Sequence, residues 1–356
     1  MSNYLIFWNK NMADSLPVSS LPSDSVKSHN RVDWIDYAKG IGILLVVVGH
    51  TLRGLVSSSI LEASIQEQAV DKWIYAFHMP LFFFISGLFI ERSASKSLKA
   101  FLVNKLLTIA YPYFIWSILQ ELIRILTGIN SEPIVNIWRI LYQPVMQFWF
   151  LYVLFIFSLG YAILRKLGLS VKALVFGCCL LYVAHLVGIN FGSWGVLYMV
   201  RIQVIYFALG ILVAETKLLS KLNKLTSLHL IITAISGFLI IAIAVLLNVA
   251  QLKIVVEPLA FIGIFSSLSM AIFLQQFAFT NFLKNWGLLS LQIFVAHTIF
   301  SAGARIFLQK IFHLSIPSVH IIVGVLMGIY GPIGLYLICQ KFNFPYAFTL
   351  RPLKVK

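Results

Sequence analysis

Charge is scarce in this chain. Asp, Glu, Lys and Arg together supply 11% of its 356 residues, less than half of the roughly 25% found in a typical soluble domain. Acidic side chains are the scarcest, 12 against 27 Lys and Arg. With 60% apolar residues and a mean hydropathy of +0.92, the polar surface is too small to cover an aqueous fold. Cysteine is also rare: Cys178, Cys179 and Cys339 lie in apolar stretches without metal-ligand spacing, which argues against a disulfide framework and against a metal site. A Gly-rich phosphate loop and a nucleotide-binding fingerprint are both missing. So is the ten-residue alternation of a transmembrane β-barrel. Tyr4–Trp8 is followed at once by Asn9, Lys10 and Asn11, too short an apolar stretch for a signal-peptide core, so the N-terminus is expected to be retained. The formal charge of +15 would suggest nucleic acid in a soluble protein. Here the basic residues cluster between apolar runs, where anionic lipid head groups account for them, and no nucleic-acid partner is expected.

What the chain does have is a series of apolar runs, each long enough to cross a hydrocarbon core about 30 Å thick at 1.5 Å per residue. Backbone groups in lipid must be satisfied within their own segment, so these runs are helices. The expected fold is an all-α, polytopic membrane protein of about ten transmembrane helices. Spans fall near Lys39–Ser57, Trp73–Ile90, Phe101–Thr127, Val145–Leu164, Val171–Ile189, Trp194–Ala214, Leu228–Asn248, Glu257–Gln275, Leu288–Leu308 and Val319–Gln340. Residues 1–38 are expected as a flexible N-terminal tail, 39–340 as the membrane domain, and 341–356 as a basic C-terminal tail. Most of the 27 Lys and Arg residues fall in the connections on one side, so the positive-inside rule puts both termini in the cytoplasm and the protein in the cytoplasmic membrane. Arg305 and Lys310, on the outer side in this topology, fit it least. No internal repeat or Gly/Pro-broken pair of spans marks an inverted-repeat transporter.

Ionisable groups inside spans are expensive and point to function. Lys39 and His50 are eleven positions apart in the first span; at about 100° per residue they share one face, with a rise of about 16 Å between them. Lys39 lies at the cytoplasmic entrance, where it can snorkel, while His50 is deep in the membrane. Asp36, three residues earlier, can pair with Lys39. Gly40, Gly42 and Gly49 leave room for a close neighbour, either a helix or a ligand chain. His78 opens the run His78-Met79-Pro80-Leu81-Phe82-Phe83-Phe84-Ile85-Ser86-Gly87, and His297 lies mid-span; each is a buried ring or a site member. His185, His229, His313 and His320 fall near span ends, as interface or loop residues. Arg92, Lys96, Lys99 and Lys105 crowd one connection, either obeying the positive-inside rule or cradling a polyphosphate. Trp149 is an interfacial aromatic or a sugar-stacking platform, and Arg201 and Glu257 are vestibule residues or ordinary span ends.

Four stretches together resemble the acyltransferase 3 family of integral membrane O-acyltransferases, most closely its fucose 4-O-acetylase-like branch: Arg31 to Gly40 leading to His50, Phe77 to Gly87, Phe148 to Leu151, and Ser290 to His297. The resemblance runs over nearly the whole chain from about residue 31. It implies an acyl donor, usually acetyl-coenzyme A, used at the cytoplasmic side to acylate a sugar hydroxyl of an exported or lipid-linked glycan, with no metal. The family's basic residue, followed after ten intervening residues by a histidine, corresponds to Lys39 and His50. Arginine is common at the first position, and a lysine there loses bidentate phosphate contacts. Arg92 and Lys105 correspond to basic residues that follow the family's Ser-Gly motif.

On that resemblance His50, as general base or transient acyl carrier, is the expected catalytic residue, with His297 and His78 as further candidates. Lys39, Arg92 and Lys105 are expected to hold the donor, and Asp36, Ser86, Trp149 and Arg201 to serve substrate. Partners would be the glycan or lipid-linked sugar acceptor and membrane lipids, with self-association or docking to glycan-assembly machinery left open. A glycan or lipid-linked sugar transporter or flippase using the same histidines as a proton relay is the competing expectation. A structural scaffold would leave His50 without a reason.

Overall fold

A computed structural model describes residues 33–94, 97–128, 134–189, 192–216, 218–222 and 224–350. Among them there is no strand. The helices are α1 (Asp33–Ser57), α2 (Ile65–Tyr75), α3 (His78–Ala94), α4 (Leu98–Lys105), α5 (Tyr111–Leu126), α6 (Trp149–Lys166), α7 (Val171–Leu186), α8 (Gly195–Thr216), α9 (Leu218–Leu222), α10 (Ser227–Leu246), α11 (Lys253–Leu274), α12 (Asn281–Leu288), α13 (Ser290–Lys310) and α14 (Pro317–Lys341). Nine helical segments among the described residues are long and apolar enough to cross a membrane. All ten expected spans have a helical counterpart. The exception to full length is α7, whose 16 residues rise about 24 Å and fall short of a 30 Å core.

Several boundaries differ from the hydropathy pattern. The first helix starts at Asp33, not Lys39, because Trp34, Ile35 and Tyr37 are buried and the Tyr37 hydroxyl donates to Asn281 Oδ1 at 2.7 Å. The second span is two helices broken at Ala76 and Phe77. Pro80 then sits in the first turn of α3, where its missing N–H is not needed. Between α4 and α5 lies a π-turn, Leu106–Ala110, which lets the chain reach Pro112 without an α-helical clash. After α14 the chain is not all tail. Trp116 Nε1 donates to the Ala347 carbonyl at 2.8 Å, and Phe348 is buried against the Trp116 ring. Residues 1–32 and 351–356 of the expected tails lie outside the described residues.

With no hydrophobic effect to drive helices together inside lipid, close packing needs small residues. Gly287 of α12 and Gly40 of α1 meet this way. A Cβ on Gly287 would stand 1.7 Å from the Asp36 carbonyl oxygen, and one on Gly40 2.1 Å from that of Leu283. Gly87 of α3 and Gly210 of α8 form a second such pair, each 2.1 Å from a carbonyl of the other helix by the same measure. The first pair fixes the Lys39 end of α1, the second the middle of the bundle. Some hydroxyls within spans are satisfied locally: Ser158, Ser266 and Ser267 each donate to the carbonyl four residues back, at 2.7 to 2.8 Å.

Candidate active site

Two cavities lie along α1. Lys39 lines the smaller, about 220 Å³, with Ser86 of α3, Lys105 of α4 and Ser158 of α6. The Lys39 ammonium is 3.7 Å from Asp36. Asp36 is 4% exposed and lines none of the cavities described here, so it positions Lys39 from behind. Ser86 donates to the Phe82 carbonyl at 2.7 Å, and the Lys105 ammonium is 5.3 Å from the centre of the Phe101 ring. Arg92 belongs to α3, but its side chain, like all of Lys96, lies outside what is described. Two of the three residues expected to hold the donor, Lys39 and Lys105, thus share one cavity with Ser86, which was expected to serve substrate.

His50 and His78 line the second cavity, about 590 Å³. His297 is fully buried, its ring 5.1 Å from that of His50 between centroids. The His297 Nδ1 lies 2.7 Å from the Phe294 carbonyl and 3.1 Å from that of Ile293. A carbonyl only accepts, so Nδ1 carries the proton and Nε2 is a lone-pair acceptor; Nε2 is buried with no partner. His78 is held in the same way, Nδ1 to the Ile74 carbonyl at 2.8 Å. The separation of the His50 and His297 rings leaves room for an N–H of one to meet a nitrogen of the other.

Tyr75 closes this group. Its ring stands edge-on to His78 at 4.5 Å and to His50 at 6.3 Å. The Arg53 guanidinium covers its face at 3.3 Å and is held by a two-pronged bond to Asp71, 2.6 and 2.8 Å. Opposite, Gln120 and Gln147 exchange amide hydrogen bonds at 2.9 and 3.4 Å, and Thr298 joins both at 3.0 and 3.1 Å. Such a closed buried set fixes its members' geometry. Arg124, paired with Glu121 at 3.0 Å, Arg305 and His320 complete the wall toward the Ser57 end.

Trp149 lines this cavity and a neighbouring one of about 640 Å³, which also share Tyr75 and Met79. Arg201 and Glu257 line the neighbour with His185 and Gln203. Arg201 donates to the Ile189 carbonyl and Glu257 accepts from the Tyr182 hydroxyl. Both line a cavity that His50 and His78 do not line. His320, expected at an interface or loop, is instead buried at the His50 cavity.

A septum separates the 220 and 590 Å³ cavities. On α3, Met79 lines the larger and Ile85 the smaller; on α6, Trp149 and Leu154 do so. Six and five residues of helix correspond to about 9 and 7.5 Å. Phe82, Phe83 and Phe150 fill it, with ring centroids 4.8 to 5.9 Å apart.

Sequence reasoning did not single out Arg53, Tyr75, Gln120, Gln147 or Thr298, and it marked Arg305 only as a poor fit to the loop charges. Arg53 was within reach, three residues beyond His50 on the same face, and Gln120 is a bare amide inside an apolar helix. Gln147 and Thr298 become partners only through tertiary packing.

A family model described as an acyltransferase domain, acyltransferase 3, matches residues 32–337. No curated protein and no solved structure matches. The matched stretch contains every helix from α1 to α13, the lysine cavity and the histidine cavity, and it decides between enzyme and transporter. The chain belongs to the acyltransferase 3 family and is a multi-pass membrane acyltransferase.

Proposed function

We propose that the enzyme transfers an acetyl group from acetyl-coenzyme A to a sugar hydroxyl of a cell-surface or exported glycan, taking the donor from the cytoplasm at the Lys39 end and the acceptor at the His50 end. The observation that carries this is the order of groups along α1: two lysines around one cavity, a thin aromatic septum, then a neutral histidine group in a cavity with an amide wall. Phosphates need cations, and a poor hydroxyl nucleophile needs a base; here one helix presents both, about 16 Å apart by its rise.

The 220 Å³ cavity holds part of coenzyme A, with Lys39 and Lys105 facing phosphate and the pantetheine arm directed along α1. His297 Nε2, an unused acceptor beside the His50 ring, can take an N–H from His50 once that ring turns toward it, which leaves the other His50 nitrogen with its lone pair toward the cavity. That nitrogen takes the proton of the acceptor hydroxyl as its oxygen attacks the thioester carbonyl. The C–S bond then breaks, and the sulfur leaves with the proton from the imidazolium, giving ester and free thiol. In the two-step variant the nitrogen attacks first and carries the acetyl group to the hydroxyl. Gln147, Gln120 and Thr298 line the space where acceptor hydroxyls would be oriented, and Trp149 offers a ring face for a sugar.

The test is thiol release. Full-length protein in proteoliposomes, given acetyl-coenzyme A and a panel of bacterial glycans, should release free thiol in proportion to ester formed on one acceptor class. Ester formation only on non-carbohydrate acceptors, or none with acetyl-coenzyme A while a longer acyl donor works, would refute the donor and acceptor named here.

A further inference from the structure

Three arginines and not one Asp or Glu line the His50 cavity. Two of the three are neutralised, Arg53 by Asp71 and Arg124 by Glu121. Arg305 is different. Among the described residues its one hydrogen bond goes to the Gly54 carbonyl, its Nε is buried without a partner, and no described carboxylate pairs with it. It is also one of the two basic residues that fit the charge distribution of the loops least. A guanidinium is always charged and is costly to shield from water without a counter-charge. Its retention in a cavity wall calls for an anion that none of the described residues supplies.

The position says where that anion would sit. Gly54 is four residues beyond His50, one helical turn or about 6 Å of rise. Arg305 is pressed against it: a Cβ on Gly54 would lie 3.2 Å from the guanidinium. His320 lines the same wall, its Nε2 donating to the Leu314 carbonyl at 3.0 Å and its Nδ1 buried as an unused acceptor. An anion at Arg305 and a hydroxyl at His50 are therefore about one sugar ring apart, and Nδ1 can accept a further hydroxyl.

We propose that Arg305 recognises a carboxylate or phosphate on the acceptor, so that the sugar acylated at His50 is itself anionic or is linked directly to an anionic unit. This rests on the sugar-acceptor reading above and adds a charge to it.

The test reads the site without turnover. A single cysteine replaces Ser57, which lines the same cavity, in full-length protein with Cys178, Cys179 and Cys339 changed to Ala, held in phosphatidylcholine nanodiscs at low ionic strength. Anionic and cationic methanethiosulfonates are then compared. Arg305→Gln should lower the anionic-to-cationic rate ratio roughly fivefold, the effect of one unit charge about 8 Å away in a water-like medium, and Arg305→Lys, eluting as the same monodisperse species, should preserve it. Methyl glucuronide and glucose 6-phosphate should slow labelling several-fold in the parent and not in Arg305→Gln, whereas methyl glucoside should not slow it. An unchanged ratio in Arg305→Gln, equal protection by methyl glucoside, or protection only when phosphatidylglycerol is added would overturn the proposal. Thiol release measured in parallel separates the two readings: turnover on neutral glycans with no Arg305 effect removes the anion site alone. Charge-selective protection without turnover on any glycan leaves the anion site and removes the acyl-acceptor reading.

Discussion

Gly287→Ala should damage donor use without touching a cavity. A Cβ there would stand 1.7 Å from the Asp36 carbonyl oxygen, 2.6 Å from its carbon and 3.0 Å from the Gly40 nitrogen. All three are backbone, so no rotamer change relieves the contact. Reaching an ordinary separation of about 3.4 Å requires α1 and α12 to part by roughly 1.7 Å, a forced repacking of the kind that costs about 1–3 kcal/mol. The residue pushed is Asp36, whose carboxylate holds Lys39 at 3.7 Å, so the displacement falls on the donor end of α1 and not on His50 eleven residues away. Gly303→Ala is the matched control, since nothing lies within 4 Å of its Cβ position, and Ala in a helix is otherwise favoured over Gly. Thermal unfolding of detergent-solubilised protein should show a lower midpoint for Gly287→Ala and none for Gly303→Ala. In thiol-release kinetics, Gly287→Ala should raise the apparent KM for acetyl-coenzyme A several-fold, with kcat less affected. A midpoint and KM equal to wild type in Gly287→Ala would refute the backbone-to-backbone packing and the role given to Asp36 together.

Three further outcomes are expected. Lys39→Ala should weaken donor binding by roughly 10- to 150-fold, the loss of one charge-assisted contact worth about 1.5–3 kcal/mol, and Lys39→Arg should keep most of it; unchanged donor KM would reduce Lys39 to a snorkelling residue. His50→Gln should leave membrane abundance and donor binding normal while turnover falls by about 10²- to 10⁴-fold, and His297→Gln should lower turnover by less; a His50→Gln enzyme within a few-fold of wild type ends the base assignment. In intact cells, a cysteine at Ala63 should react with an impermeant thiol reagent and one at Asn343 should be protected, and the reverse pattern would invert the topology.

The helical membrane fold was open to reading because lipid imposes one rule on every span: apolar for about 20 residues, with its backbone satisfied internally. Where that rule ran out, so did the accuracy. The break at Ala76–Phe77, the π-turn before Pro112 and the burial of Phe348 depend on which neighbour each segment meets. At the site, Lys39 and His50 could be placed on one face because helix geometry relates them directly, and Asp36 could be paired with Lys39 for the same reason. His297 could be suspected from its depth but not joined to His50, because the two are 247 positions apart in the chain and only the packing of α13 on α1 closes that gap. Trp149 could not be moved from the lipid interface to a wall between cavities by any periodicity. Arg305 stood out on charge grounds, but its meaning depends on what is absent from the cavity around it.

On the acyl-transfer mechanism proposed, charge also divides the labour across the septum. The donor's phosphates carry several charges, and taking each into an apolar layer costs several kcal/mol, so they stay among Lys39 and Lys105. The thioester end is uncharged and is the part able to cross about 7.5–9 Å of Phe82, Phe83 and Phe150. How that layer is built matters here. Opposite Gly42 of α1, α3 presents the far edge of the Phe82 ring, 2.9 Å from where a Cβ would be, and Phe82 meets Phe150 through a tilted ring contact at 5.9 Å. Five residues along, Gly87 is locked onto the α8 backbone at Phe207. The frame is thus fixed by main-chain contacts that cannot slide without unpacking two helices, whereas the septum is closed by side-chain ends that repack by changing rotamer. A passage for a narrow, neutral arm can open at Phe82 while the distance from Lys39 to His50 along α1 stays constant, so one helix can hold the phosphate and the base in register through the transfer.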